Sequence, residues 1–288
     1  GTNGMGESRQ ARWLPTWNIS GSWNAHEEPW FDKMFAPVLS TLTLKASYSL
    51  TADRPPVGYA NPTAIFRANT PFRALSADRE SGLFLEDLAN EDLTYEKKHE
   101  FNFGFDTGFL HNRINLSLDI YTRRNYDLIG PVMTQGVGGS TIRYANMATM
   151  KSWGEEVSIS TKNIITKDFS WETNFIFSRA KNEITDLKSN TRAINLVAGN
   201  GFAKEGYPVR ALFSVPFMGL SNEGLPLFRN EKGEITSTDI DFQTSGDNDY
   251  LIYEGPTDPT ITGSLGNIFS YKGFRLNIFL TYRSEEHT

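Results

Sequence analysis

The chain has no cysteine. A disulfide framework, a thiolate metal site and a cysteine nucleophile are therefore excluded. Histidine is scarce: His26, His99, His111 and His287 are the four, and no two lie within five residues of each other. Without H-x-x-H or H-E-x-x-H spacing, no local zinc signature exists and no metal site is expected. No G-x-S-x-G, phosphate-loop or dinucleotide fingerprint occurs in its required context, so an enzyme is not expected. Positive charge is in deficit, with a net charge of −6 and a pI near 5.4. That argues against a nucleic-acid partner, whose binding rests on neutralising phosphates. No run approaches the roughly 18 apolar residues of a membrane helix. A charged-then-apolar leader is also missing at the start, as expected where a signal peptide has been removed or the start of the gene is absent.

What the chain does have is aromatic residues and strict alternation. Phe, Tyr and Trp make up 13% of its 288 residues. Between Tyr95 and Ile129, Phe101, Phe103, Phe105 and Phe109 share one parity, against Glu100, Asn102, Gly104 and Asp106 on the other. After a break at Leu110-His111-Asn112, Ile114, Leu116, Leu118 and Ile120 alternate with Asn115, Ser117 and Asp119. Period two sends neighbours to opposite faces, so this is a β-hairpin. Similar alternation covers Trp17 to Trp23, Leu42 to Leu50, Trp153 to Ile159, Phe169 to Phe177, Ile261 to Tyr271 and Phe274 to Tyr282. About eight strands result.

The connections between them run medium (25–38), long (52–93), short (110–112), long (130–150), short (165–168), very long (185–259, with one internal strand from Val209 to Phe217) and short (272–273). A compact soluble domain prefers short loops throughout. Alternating loop length fits an antiparallel barrel in a membrane, with tight turns on one side and functional loops on the other. An all-β, antiparallel transmembrane β-barrel fragment is the expected fold: about eight strands in an open curved sheet with long extracellular loops. The apolar parity is expected to face lipid and Asn102, Asp106, Asn115 and Asp119 a lumen, with 110–112 as a periplasmic turn. A small outer-membrane barrel and a secreted adhesin-like sandwich remain as alternatives.

Asp92-Leu93-Thr94-Tyr95-Glu96-Lys97-Lys98, followed by Glu100 to Asp106, resembles the N-x-x-L-x-W-E-K-x-x-x-F-N-x-G-x-D signature of SusC/RagA-like TonB-dependent outer-membrane transporters, with Tyr95 in place of the usual Trp. Arg113 to Tyr121 is similar to that family's R-L-x-x-x-x-D-Y-Y strand, and Leu42 to Tyr48 to its L-K-x-R-x-S-Y-G strand. Asn146 with Trp153-Gly154-Glu155-Glu156 is similar to its N-x-G-x-x-x-N-x-G-x-E segment, and Gly224-Leu225-Pro226 lies in its outer-loop region. The resemblance implies a barrel of about 22 strands with an N-terminal plug in the outer membrane. It implies import of oligosaccharides or peptides with a SusD-like lipoprotein lid and energy from TonB through the plug. A siderophore-type receptor is the sibling alternative. About eight strands cannot close such a barrel. Residues 1–283 are thus expected to be part of the barrel domain, with the plug missing, and 284–288 an artefactual tail.

Candidate site residues lie in the loops. Arg143, Tyr144 and Asn146, with Tyr250 and Tyr253, are candidate substrate contacts, since rings stack on sugar faces while Asn and Arg bond hydroxyls. Asp239, Asp241, Asp247 and Asp249 are loop acids of a kind that holds calcium. They lack the ordered positions of a calcium loop, so no cofactor is expected. Glu155 shares the apolar parity, which is costly near mid-bilayer, so a place near a strand end is expected.

Overall fold

A computed structural model describes residues 13–35, 38–55, 59–61, 63–69, 81–133, 142–189, 191–199, 203–243 and 248–284. Asp247, the acidic tail beyond Ser284 and the stretch before Trp13 lie outside them. The strands are β1 (Trp17–Asn24), β2 (Leu39–Asp53), β3 (Ile65–Asn69), β4 (Gly82–Asp87), β5 (Glu96–Phe109), β6 (Ile114–Met133), β7 (Ile142–Ile165), β8 (Phe169–Leu187), β9 (Ala211–Ser214), β10 (Phe217–Leu220), β11 (Pro226–Arg229), β12 (Ile235–Thr236), β13 (Ile252–Pro256), β14 (Ile261–Tyr271) and β15 (Phe274–Arg283). The two short helices are α1 (Phe31–Phe35) and α2 (Ala193–Val197).

Eight strands form one antiparallel sheet in the order β1-β2-β5-β6-β7-β8-β14-β15. Among the described residues β1 and β15 do not pair with each other, so the sheet is open, as the strand count predicted. Register carries the sequence alternation across every strand. Trp23, Leu44, Phe105, Leu118, Val157, Phe177, Gly263 and Tyr282 are successive partners in one row. One residue along, the row is Ser22, Lys45, Gly104, Asp119, Glu156, Ser178, Thr262 and Arg283. A period of two puts these rows on opposite faces.

All the short connections lie at one end of the sheet and are bonded into a rim. Leu110 N–H donates to Val38 O, Lys162 N–H to Arg113 O and Lys272 N–H to Asp168 O. The Arg113 guanidinium adds bonds to Lys162 O and Asn163 O. The 25–38 connection belongs to this end, with Ala25 and Phe31 buried under Trp30 and Phe35.

The long connections occupy the other end and hold more structure than alternation indicates. Strands β6 and β7 continue past the expected break, to Met133 and from Ile142, so strand replaces loop in the described part of 130–150. The reason is a bulge: Asp127 has φ 57 and register shifts on both sides of Leu128. A bulge breaks period two without ending the ladder. Segment 52–93 contains the β3–β4 hairpin. The strand expected from Val209 to Phe217 is two strands, parted at Val215-Pro216, where proline has no N–H for a ladder. Strand β9 pairs with β13, while β10, β11 and β12 form a separate small sheet.

Among the described residues the buried apolar side chains gather at the two ends of the long sheet rather than over its middle, with Ala25 and Phe31 at the tight-turn end. Three apolar clusters sit at the loop end: Met147, Ala148, Ile184 and Ala203; then Ala193, Leu196, Phe213 and Leu251; then Ala60 and Leu93.

Candidate functional site

The polar face of the sheet carries paired charges contributed by neighbouring strands. Lys45 Nζ lies 2.5 Å from Asp106 Oδ2, and Ser117 Oγ donates to Asp106 Oδ1 at 2.6 Å. These three come from β2, β5 and β6, brought together because the register puts Asp106 opposite Ser117 and diagonal to Lys45. Gly104 is required beside them: a Cβ there would meet the Asp119 carboxylate at 2.3 Å. A shallow cavity of about 500 Å³ opens on this face, lined by Ser20, Ser22, Lys45, Ser47, Asn102 and Asp119 among others. Toward the loop end, Glu100 accepts from Arg123 at 2.9 Å and lies 3.6 Å from Lys98. Arg123 also packs over the Tyr121 ring at 4.1 Å. Hydroxyls, amides and paired charges thus form one wetted surface that can hydrogen-bond a polar solute along the strands.

The five loop candidates fall in two places. Arg143, Tyr144 and Asn146 sit together on β7, where they clasp the segment before β5. Arg143 donates to Ala89 O at 2.9 Å and to Asn90 Oδ1 at 2.8 Å. Asn90 Nδ2 donates in turn to Tyr144 O and Tyr59 O, and the Tyr144 and Tyr59 rings pack with centroids 4.3 Å apart. Asn146 accepts from Thr94 N–H at 2.8 Å and donates to Thr94 O at 3.0 Å and Asp127 O at 2.6 Å. Leu93, 1% exposed, is pinned beneath this clasp.

Tyr250 and Tyr253 lie apart from these, in the body formed by α2, β9 and β13. The Tyr253 ring is 5.1 Å from Tyr207 and 5.8 Å from Phe213. Tyr250 is packed against the Phe213 cluster with its hydroxyl buried. Burial pushes both phenols above their ordinary value. The described loop acids do not converge either. Asp249 pairs with Lys204 at 2.8 Å, Asp239 lies 4.0 Å from Lys232, and Asp241 accepts from Gln243 N–H. The hydrogen bond and charge of Lys204 hold Asp249 below the usual carboxylate value.

Glu155 lies on the apolar face as its parity predicted, but in the middle of β7 rather than near a strand end, where Arg179 directly across at 4.0 Å supplies an opposite charge. Asn90 went unnoticed in the sequence, although it is 7% exposed and organises the clasp. Its signal was an Asn three positions before the pinned Leu93.

The family model described as "TonB dependent receptor-like, beta-barrel" matches residues 2–283. The chain is 25% identical over 302 residues to TonB-dependent receptor P3 of Formosa agariphila, covering 97% of this chain and 29% of that protein. It is 28% identical over 182 residues to TonB-dependent receptor SusC of Bacteroides thetaiotaomicron, covering 62% of this chain and 18% of that protein. Among solved structures, the RagAB peptide transporter superposes with a TM-score of 0.76 at 24% identity, covering 97% of this chain and 30% of that one. The chain therefore spans less than a third of the length of these proteins.

Proposed function

Since the chain belongs to the TonB dependent receptor-like β-barrel family, we propose that it forms one section of the wall of an outer-membrane importer driven through TonB. One observation carries this reading. The apolar rows cross all eight strands and stay uncovered: Phe101 is 45% exposed, Ile120 46%, Leu280 62% and Tyr282 57%. Apolar surface of that extent needs a partner or a lipid. No second sheet covers it among the described residues, which disfavours a sandwich. Phe101 to Phe109 is eight residue steps, roughly 27 Å along a strand and about 21 Å after a 40° tilt, close to the roughly 25 Å apolar band of such barrels.

In this reading the tight-turn rim is periplasmic and the loop end external. The polar face lines the solute path, and its hydroxyl-, amide- and carboxylate-rich surface suits oligosaccharides, with peptides as the second substrate class. The SusD-like lipoprotein lid would rest on the loop end. There the β10–β12 sheet presents Phe217, Leu220, Leu225 and Ile235 to solvent. Tyr144 and the other loop candidates would act by holding that end in shape.

The test uses the intact protein carrying this chain, produced in an outer membrane. Heat-modifiable gel mobility in detergent and TonB-dependent uptake of a fluorescent oligosaccharide or oligopeptide are expected. Folding in buffer without detergent would overturn the membrane placement. Uptake that is unchanged without TonB would overturn the importer.

A further inference from the structure

The two faces of the sheet treat their cations differently at the same height. On the polar face, Arg123 and Lys98 share the Glu100 carboxylate. On the apolar face the next row reads His99, Arg124, Lys151 and Glu183 across β5, β6, β7 and β8. The row below it reads Phe101, Thr122, Trp153 and Lys181. Arg124 and Lys151 are thus direct cross-strand partners, and Lys181 is diagonal to Lys151. Like charges directly opposite destabilise a sheet. Arg124, Lys151 and Lys181 are all exposed, and no carboxylate lies within 4.0 Å of any of them among the described residues. Lower on the same face, within the apolar rows, Arg179 does have its Glu155.

The position of this cluster is as informative as its charge. It begins where the apolar rows end, at the loop end of the strands. Trp153 stands in its midst, 38% exposed, with Lys151 Nζ 5.6 Å from its ring. Beside it opens a cleft of about 380 Å³ between β7–β8 and the loop body, lined by Trp153, Lys181, Glu183, Arg210, Tyr253 and Asp258 among others, with Arg210 paired to Asp258 at 3.1 Å. Aromatic rings and long cationic side chains at the edge of an apolar band are the arrangement that meets lipid headgroups.

We propose that Arg124, Lys151 and Lys181, grouped around Trp153, form a docking site for the phosphate groups of an anionic outer-leaflet lipid. The phosphate sits between the opposed cations and relieves their repulsion. The acyl chains lie along the Phe101–Phe109 rows and the cleft takes the remainder of the headgroup. The inference rests on the outer-membrane reading above, which supplies the bilayer.

The test is native mass spectrometry of the intact protein in detergent, titrated with bisphosphorylated lipid A. The wild type is compared with the triple variant R124Q/K151Q/K181Q and with K33Q/K167Q/K232Q, which loses equal charge elsewhere. Each cation at an anionic lipid surface is worth about fivefold in affinity, so the first variant is expected to bind on the order of a hundredfold more weakly. The control variant should bind as the wild type does. Heat-modifiable mobility must persist in all three; its absence from the wild type would sink the membrane reading instead. Equal binding of dephosphorylated lipid A, or unchanged binding by the triple variant, overturns the proposal. Displacement of lipid A by millimolar inorganic phosphate would show a free-anion site and overturn the headgroup assignment.

Discussion

Replacing Asn146 by Ala removes three hydrogen bonds at once, to Thr94 N–H, Thr94 O and Asp127 O. All of them join β7 to the chain entering β5 or to the bulge of β6. A typical bond contributes about 1 kcal/mol net, and a stranded half-buried amide costs about as much again. Water reaches part of this site, so about 2–3 kcal/mol is expected rather than the full sum. The loss should be local, since the segment from Leu88 to Tyr95 packs little apart from Asn90, Leu93 and Tyr95. In hydrogen exchange the Thr94 amide should lose roughly thirtyfold or more of its protection, because 1.4 kcal/mol is tenfold and local opening governs exchange. Amides in mid-β14 should not change. Asn146→Asp sharpens the test: it retains the acceptor for Thr94 N–H but turns a carboxylate toward two carbonyl oxygens, and should be at least as damaging. If Thr94 protection is unchanged while substrate affinity falls, Asn146 is a substrate contact and the clasp is refuted.

The remaining consequences are more local. Gly154→Ala should destabilise by about 1–3 kcal/mol in urea unfolding from detergent, because its Cβ would meet Tyr121 Oη at 2.5 Å and Arg179 O at 2.6 Å. Gly21→Ala, with nothing within 4 Å, is the matched control and should be near neutral. Leu110 has φ 51 in the β5–β6 turn; Leu110→Gly should gain about 0.5–1 kcal/mol by relieving left-handed strain, read as a higher urea midpoint. The Asp249 carboxyl is lowered by Lys204, so its contribution is complete above the unfolded value of about 3.9 and is lost as pH falls through the lower folded value. Loop protection should hold from pH 8 to 5 and decline only below about pH 4, and Lys204→Gln should return Asp249 to an ordinary titration by NMR.

The hairpin from Tyr95 to Ile129 could be read from the sequence because unbroken alternation and register express the same period. Where a bulge interrupts it, at Asp127 and Leu128, the ladder continues but the alternation does not, so the sequence pattern there resembles a loop. Pro216 had the reverse effect, splitting an apolar run that reads as one strand. The clasp was hidden for a different reason. Asn90 and Asn146 bond mainly to backbone carbonyls and amides, which leave no mark on the partner's side chain. Likewise Arg123 and Arg124 are neighbours in sequence. Only register shows that one faces Glu100 and the other Lys151.

Register also allows the medium around the apolar face to be identified by substitution. Phe105 and Leu118 are partners in the middle of the apolar rows, while Phe101 lies at their outer edge beside the cations. An arginine at Phe105 should cost about 2–4 kcal/mol in a bilayer, and one at Phe101 only about 0–1, since the penalty falls toward the interface. In water at an exposed sheet face, both changes would stay within about 0.5 kcal/mol. Beneath a covering sheet, both would be severe, because each would bury an unpaired charge. Asn102→Arg, on the opposite face between them, should be tolerated in the bilayer case because that face is wet. The observable is the folded fraction by heat-modifiable mobility across a urea series for the intact protein. A gradient between Phe105 and Phe101, absent at Asn102, identifies lipid on one face and water on the other. Equal costs at the two phenylalanines would refute the membrane placement, whichever sign they took.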